Sequence, residues 1–315
     1  MIVKKADTKS IAHAADILGR GGLVAFATET VYGLGADASD DQAVARIFEA
    51  KKRPRFNPLI VHARNMEHAQ ALGMFSPLAQ SLAQTFWPGP LTLVVPRGAD
   101  SGLSLLASAG LDTVALRVPA HPVAQQLLEK FRLAIAAPSA NLSGGTSATT
   151  AAHVAESLDA AVDLILDAGA APLGIESTIV GFDEHGPLLL RPGALPREDI
   201  EAIAGRLREP GSGIAASPGR LRSHYAPRTP LRLDAREVYG DEALLAFGPE
   251  LSGAWGTRNL SPTGNLREAA ANLFRMLHEL DKLDCTRIAA MSIPDHGLGE
   301  AINDRLRRAA APRDF

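Results

Sequence analysis

The residues best suited to chemistry in this chain are those that handle anions. Lys51-Lys52-Arg53-Pro54-Arg55-Phe56-Asn57-Pro58-Leu59-Ile60-Val61-His62 packs four cations into five positions, although the 315-residue chain has only seven lysines. Pro54 and Pro58 bracket the segment as an extended loop, since each keeps the preceding residue out of helical backbone. Cations on such a loop suit a polyphosphate, whose leaving charge must be stabilised in the transition state. The plainer alternative is a solvated basic helix end that complements the helix dipole. Thr28-Glu29-Thr30-Val31-Tyr32-Gly33-Leu34-Gly35 follows a strand, where open α/β sheets bind ligands, or it is only a polar turn. Ala136-Ala137-Pro138-Ser139-Ala140-Asn141-Leu142-Ser143-Gly144-Gly145-Thr146-Ser147 offers backbone N–H groups and hydroxyls to an anion at a helix start, or is a capped loop. Thr113 and Arg117 share one face of a strand because they are four apart. An arginine in an otherwise apolar strand needs an anion or a site edge. Glu176-Ser177-Thr178 and Arg191-Pro192-Gly193, at the ends of later strands, are placed to close the same cleft.

These segments need a scaffold, and the apolar pattern supplies one. Up to about residue 205 short apolar runs alternate with helical periods, the order of an α/β sheet with covering helices. Strands are predicted at 23–27, 58–61, 91–95, 113–118, 133–137, 164–166, 178–181 and 188–190. A first helix carries Ile11, Ala14, Ala15 and Leu18 behind the cap candidates Thr8 and Ser10, and Gly21-Gly22 stops it. Asp40 or Asp41 caps a second, with Val44, Ile47 and Phe48 inward, which Pro54 ends. Further helices are predicted at 66–72, 77–86, 122–130, 149–158 and 197–205. Residues 206–228 read as a linker: Arg206, Arg208, Arg220, Arg222 and Arg228 face the single acid Glu209, among Gly211, Gly213, Pro218 and Gly219. Strands at 231–233, 244–247 and 288–293, a helix at 265–283 with Leu266, Ala269, Leu273, Met276 and Leu277 on one face, and a last helix at 300–310 form a small α/β domain. The predicted division is thus 1–205, 206–228 and 229–315.

Composition narrows the chemistry. Hydrophobic residues at 46% and charged residues at 21% describe a globular protein. The single cysteine, Cys285, excludes a disulfide framework and any multi-cysteine metal site, and fits a reducing cytoplasm. No apolar run approaches the roughly 18 residues that span a membrane, and Met1-Ile2-Val3-Lys4-Lys5-Ala6-Asp7 puts charge where a secretory signal is apolar. A net charge of −3, from 32 basic and 35 acidic residues, argues against coating nucleic acid by bulk charge but leaves room for a local basic groove. There is no Gly-x-x-x-x-Gly-Lys-Ser/Thr loop, no His-Glu-x-x-His and no nucleophile elbow, and Gly33-Leu34-Gly35 lacks the third glycine of a dinucleotide fingerprint.

Taken in order, these segments resemble the threonylcarbamoyl-AMP synthase family in its longer two-domain form, over nearly the whole chain. The carriers are Thr-Glu-Thr-Val-Tyr-Gly-Leu-Gly, the Lys-x-Arg-Pro and Asn-Pro-Leu-Ile-Val-His block, Ala-Pro-Ser-Ala-Asn, Glu-Ser-Thr-Ile-Val, Arg-Pro-Gly, the linker run Ser223-His224-Tyr225-Ala226-Pro227, and Ala301-Ile302-Asn303-Asp304-Arg305-Leu306-Arg307-Arg308-Ala309. The resemblance implies a YrdC-like twisted open mixed sheet with covering helices and a concave basic cleft, plus a small Rossmann-like α/β carboxyl-terminal domain. It implies synthesis of L-threonylcarbamoyl-adenylate and pyrophosphate from L-threonine, bicarbonate and ATP. The product serves the threonylcarbamoyladenosine modification at adenosine 37 of tRNAs reading ANN codons, which a separate transferase complex attaches. Mg²⁺ is expected with the ATP, held by phosphate oxygens and water rather than by a protein metal site. The expected compartment is the cytoplasm, with at most weak tRNA contact and no membrane.

Carried over by motif, Lys51 and Arg53 would neutralise the phosphates. Thr30, His62, Arg117, Ser177 and the backbone at Ala137 would hold threonine, with Arg117 facing its carboxylate. Arg53, Asn57, Thr113, Ser139, Ser147 and Arg191 would hold ATP, Asn141 would order the loop beside it, and Tyr225 would close over the nucleotide. The linker would then be a lid. Lys52 stands where the family pattern has a small or polar residue, so which lysine faces the phosphates is open. Nothing in 229–315 reads as catalytic; steadying the lid is the expected role of that domain. Two other readings compete. A carbamoyl-adenylate-forming transferase of the hydrogenase-maturation type would bring acylphosphatase-like and cysteine-rich zinc segments, absent here. A non-catalytic RNA-binding module would use the cleft as an electrostatic groove, with 5% aromatic residues leaving few stacking platforms.

Overall fold

The computed structural model describes residues 2–211 and 223–312. The first part of the chain runs β1 (Ile2–Lys5), α1 (Thr8–Leu18), β2 (Val24–Ala27), β3 (Tyr32–Asp37), α2 (Asp41–Lys51), β4 (Ile60–His62), α3 (Met66–Leu72), α4 (Pro77–Phe86), β5 (Leu91–Pro96), β6 (Thr113–Arg117), α5 (Pro122–Phe131), β7 (Ile135–Ala136), α6 (Ala151–Leu158), β8 (Leu164–Asp167), β9 (Thr178–Asp183), β10 (Gly186–Arg191) and α7 (Arg197–Ala204). Its ten strands form one mixed sheet in the order β1-β8-β2-β3-β7-β4-β6-β5-β9-β10. After the linker come β11 (Leu231–Arg232), β12 (Ala243–Ala246), β13 (Thr257–Asn259), α8 (Leu266–Leu280), β14 (Ile288–Ala290) and α9 (Leu298–Ala310). Their four strands form a parallel sheet in the order β11-β14-β12-β13. Of the linker, residues 212–222, with Arg220 and Arg222, lie outside the described residues. No helix among the described residues is long and apolar enough to cross a membrane.

Where the fold departs from the sequence reading, backbone chemistry explains it. Asp7 caps α1, accepting from Ser10 N at 2.8 Å, and Thr8 and Ser10 lie inside the helix. An ionised acceptor at a positive helix end outcompetes a hydroxyl. The stretch 28–35 is not one loop. Thr28 to Val31 form a tight turn, closed by Thr28 Oγ1 donating to Val31 O at 2.6 Å, and the chain returns as β3, antiparallel to β2. Gly35 serves that hairpin, since a Cβ there would lie 2.8 Å from both Ile135 and Phe26. The glycine pair is a packing device, not a phosphate fingerprint. β1 and β13, unassigned from the sequence, are short and add to sheets already specified by longer apolar runs.

The two largest of the apolar interiors bear on the site. The larger lies on the sheet through Leu23, Tyr32, Ile47, Leu82, Leu116 and Val154. The second gathers Leu245, Leu273, Phe274, Leu277, Ile288 and Ile302, and it also takes in Val31, Ile175, Ala194 and Tyr225 from the first part of the chain and the linker. The contact is close: a Cβ on Gly174 would stand 2.4 Å from Ala271 O in α8, and Gly174 adopts φ +66.

Candidate active site

The parallel pairing of β4 with β6 sets His62 opposite Arg117. Strand alternation then turns Thr113, Ala115 and Arg117 to one face, beside Ile60 and His62. Ile60, Ala115, Ile179, Leu188 and Leu190 make an apolar floor. At the Arg117 end the floor opens into a cavity of about 50 Å³ walled by Thr28, Thr30, Arg53, His62, Arg117, Ala137, Ser139, Glu176, Ser177, Arg191, His224 and Tyr225. That is room for only a few water-sized groups. At the other end, about 13 Å away for four strand residues, lies a roomier apolar cleft of about 500 Å³ lined by Phe75, Val94, Leu188, Leu190 and Thr113.

Most residues singled out in the sequence therefore converge, but not all in the expected posture. Arg117 is buried and already engaged: Nη2 donates to Glu29 Oε1 at 2.5 Å, Nη1 to Thr30 Oγ1 at 2.9 Å and Nε to Gly89 O at 3.2 Å. Arg53 donates to the carbonyls of Asn57 at 3.3 Å and Pro58 at 3.0 Å, so the proline-bracketed loop wraps its own guanidinium. Arg191 donates through Nη2 to Ser177 O at 2.8 Å and to Ser177 Oγ at 3.2 Å. That proximity needs Gly193, where a Cβ would stand 2.4 Å from the backbone of Ser177 and Thr178. Lys51 is fully buried beside the cavity rather than on its wall. Its ammonium donates to Ser139 O at 2.6 Å and to Asn141 O, holding the small-residue loop. Burial, and secondarily Arg53, pushes its pKa well below the usual lysine value. Lys52 is exposed and ends α2 at φ 51, so Lys51 is the inward lysine of the pair. Asn141 orders its own loop through Nδ2 to Leu142 O and Gly145 O, at 2.8 and 2.9 Å. Ser147 Oγ donates to Glu176, and Asn57 is buried behind Arg53. Thr113 is not at the cavity but on the apolar cleft.

Sequence reading quoted Glu29, Glu176 and His224 within its motifs but gave them no role, and passed over Thr92. Glu29 and Glu176 are buried acids, each bonded to an arginine, and Thr92 Oγ1 lies 2.8 Å from Ser177 Oγ. His224 joins Tyr225 on the cavity wall; burial, then Arg53 and Lys51, keeps its imidazole neutral. His62 is likewise pushed down to about 3 by burial and by Arg117. The second domain also reaches the site. Arg305 of α9, wholly buried, donates from Nε to Glu176 Oε2 at 3.0 Å and from Nη1 to Pro192 O at 2.6 Å, and its guanidinium lies 5.1 Å from the Tyr225 ring centre. His278 of α8 stacks on His153 at 4.0 Å and meets Ser147 O at 3.1 Å. The run Ala301–Ala309 was visible in the sequence, but nothing local shows that its Arg305 points between domains.

The electrostatics favour a polyanionic guest. Lys51, Arg53, Arg117, Arg191 and Arg305 are buried in and around this cavity against two carboxylates. Of ten buried side-chain polar atoms without a partner among the described residues, seven sit here, on Glu29, Asn57, His62, Asn141, His224, Tyr225 and Arg305. Native proteins leave few such atoms, and a cluster of them marks where a ligand completes the bonding.

Comparison with known proteins agrees with this geometry. Residues 16–193 match the Sua5/YciO/YrdC family model, described as "Telomere recombination", and residues 195–311 match "Threonylcarbamoyl-AMP synthase, C-terminal domain". The chain is 42% identical to the threonylcarbamoyl-AMP synthase of Pyrococcus abyssi over 95% of its length and 94% of that protein's. It is 40% identical to the Bacillus subtilis enzyme of the same name, over 96% and 93%. The crystal structure of P. abyssi Sua5 complexed with L-threonine superposes with a TM-score of 0.90 at 38% identity, covering 98% of this chain and 96% of that one. The chain belongs to the threonylcarbamoyl-AMP synthase family.

Proposed function

We propose that this chain is a nucleotidyltransferase that makes L-threonylcarbamoyl-adenylate and pyrophosphate from L-threonine, bicarbonate and ATP. The observation that carries the reading is the convergence of Arg53, Arg117 and Arg191 on one cavity, beside a roomier apolar cleft. In the first step the threonine amine attacks the bicarbonate carbon, a water leaves and a carbamate forms. In the second, a carbamate oxygen attacks the α-phosphorus of ATP and pyrophosphate departs. Neither step needs a covalent enzyme intermediate. Both need like charges brought together, so positioning and electrostatic stabilisation supply the rate.

In this reading Arg117 uses its uncommitted N–H groups for the threonine carboxylate, with Thr30, Ser177, neutral His62 and the Ala137 backbone around the rest of the molecule. Adenosine lies along the apolar floor towards Thr113, which puts the phosphates at Arg53 and Arg191, flanked by Asn57, Ser139, Ser147 and the loop that Lys51 and Asn141 stiffen. Mg²⁺ accompanies the phosphates. Glu29 and Glu176 both engage arginines, and among the described residues no three His, Cys, Asp or Glu side chains gather to hold a metal. That donor set fits a cation carried by phosphate oxygens and water, neutralising charge on the leaving group. The linker residues His224 and Tyr225 wall the cavity, and in this reading they act as a lid that lifts to load the site and closes to keep water from the adenylate.

The product passes, in the cytoplasm, to a transferase complex that modifies adenosine 37 of tRNA. An RNA-binding groove fits the site poorly, because Arg53, Arg117 and Arg191 are only 8%, 3% and 5% exposed and phosphate tracking needs accessible cations. The test is pyrophosphate release with threonine and bicarbonate omitted in turn. Release that requires both is the expected result. Release indifferent to threonine would remove the assignment.

A further inference from the structure

Glu29 has no place among the substrate contacts above, yet it is the one acid bonded to the arginine at the amino-acid end of the cavity. It sits in the turn between β2 and β3, 7% exposed, and does not itself line the cavity. Its Oε1 takes one N–H of Arg117 at 2.5 Å. The turn that presents it is braced by a relay of hydroxyls: Arg117 Nη1 donates to Thr30 Oγ1 at 2.9 Å, Thr30 Oγ1 lies 2.8 Å from Thr28 Oγ1, and Thr28 Oγ1 donates to Val31 O at 2.6 Å. With Val31 O taking the Thr28 proton, Thr30 is left to donate to Thr28 and accept from Arg117, so every hydroxyl proton is assigned. A guanidinium has five N–H groups. Gly89 O, Thr30 and Glu29 take three and fix its plane, leaving one N–H on each terminal nitrogen.

We infer that Glu29 is a positioning residue for amino-acid recognition. It orients Arg117 and offsets the cost of keeping that charge buried in the empty site, so that the carboxylate of threonine meets a preformed pair of donors. The inference rests on the reading of Arg117 as the carboxylate's partner. Glu29 acts through Arg117, not by touching substrate, and that distinction is measurable.

The experiment is a double-mutant cycle on the full chain, with Kd for L-threonine and, separately, for ATP read by calorimetry. Glu29→Gln weakens threonine binding on the order of tenfold in the wild-type background and leaves ATP binding unchanged, while in the Arg117→Ala background it adds nothing further. Glu29→Asp, which keeps the charge on a shorter arm, recovers part of the loss and serves the cycle if the glutamine variant does not fold. Equal losses from Glu29→Gln in both backgrounds, or a parallel loss of ATP binding, would overturn the positioning role. Threonine binding that depends on Arg117 but not on Glu29 would overturn it alone. Indifference to Arg117→Ala would sink the carboxylate assignment first and the inference with it.

Discussion

Buried ionisable side chains near the cavity carry the site's chemistry, and His62 shows how their surroundings decide their charge. Burial, and then Arg117, holds its pKa at about 3, far below the ordinary 6.5. It stays neutral wherever the enzyme works. The unfolded chain binds that proton near pH 6.5 and the folded one does not until about pH 3, so the unfolded state holds more protons between those values and stability falls as pH drops through the window. His153, pushed down to about 4 by burial and His278, adds to the slope. We expect the melting temperature to fall on acidification from pH 7 to 5, and a folded His62→Asn variant to show a shallower fall. An equal slope in that variant would exclude His62 as a source. At this scale Arg117 was legible as an arginine in an apolar strand, and Lys51 and Arg53 as cations clustered on a proline-bracketed loop. The acids were not: Glu29 meets Arg117 across 88 positions, and Glu176 meets Arg305 across 129. Only the tertiary fold brings such pairs together.

Elements position those residues through caps, registers and close crossings. The long apolar strands and the strongly periodic α8 were readable from the sequence, since burial pattern alone specifies them. The β2–β3 hairpin was half hidden, because Gly33 and Gly35 look like loop residues until Ile135 and Phe26 are seen packed on Gly35. α9 shows most clearly what periodicity cannot supply. It reads as an amphipathic helix, yet its Arg305 is fully buried and ties Glu176, Pro192 O and Tyr225 together. Arg305→Met would leave Glu176 with an uncompensated buried charge, which typically costs about 3–5 kcal/mol. Urea unfolding should register that loss, and pyrophosphate release should fall with it because Ser147 hangs on the same carboxylate. A variant as stable as the parent would show that Arg305 does not hold the wall.

Across the whole molecule, the large sheet's loops and the linker residues His224 and Tyr225 wall one cavity and gather charge around it. The composition gave no hint of this. A net charge of −3 conceals five buried cations around one cavity. Val31, Ile175 and Ala194, from turns and loops of the first part of the chain, lie in the same apolar cluster as Leu273 of α8 and Ile302 of α9. The small domain's interior cannot open without uncovering those residues of the first part. Heating should therefore melt the chain in one calorimetric transition, and two resolved peaks would contradict that coupling. Leu277 of α8, fully buried in the cluster that also holds Tyr225, would on the proposed lid role be a remote control: loosening it should lower the temperature at which Tyr225 leaves its pocket, so that heat tolerance and retention of the adenylate would be inherited together.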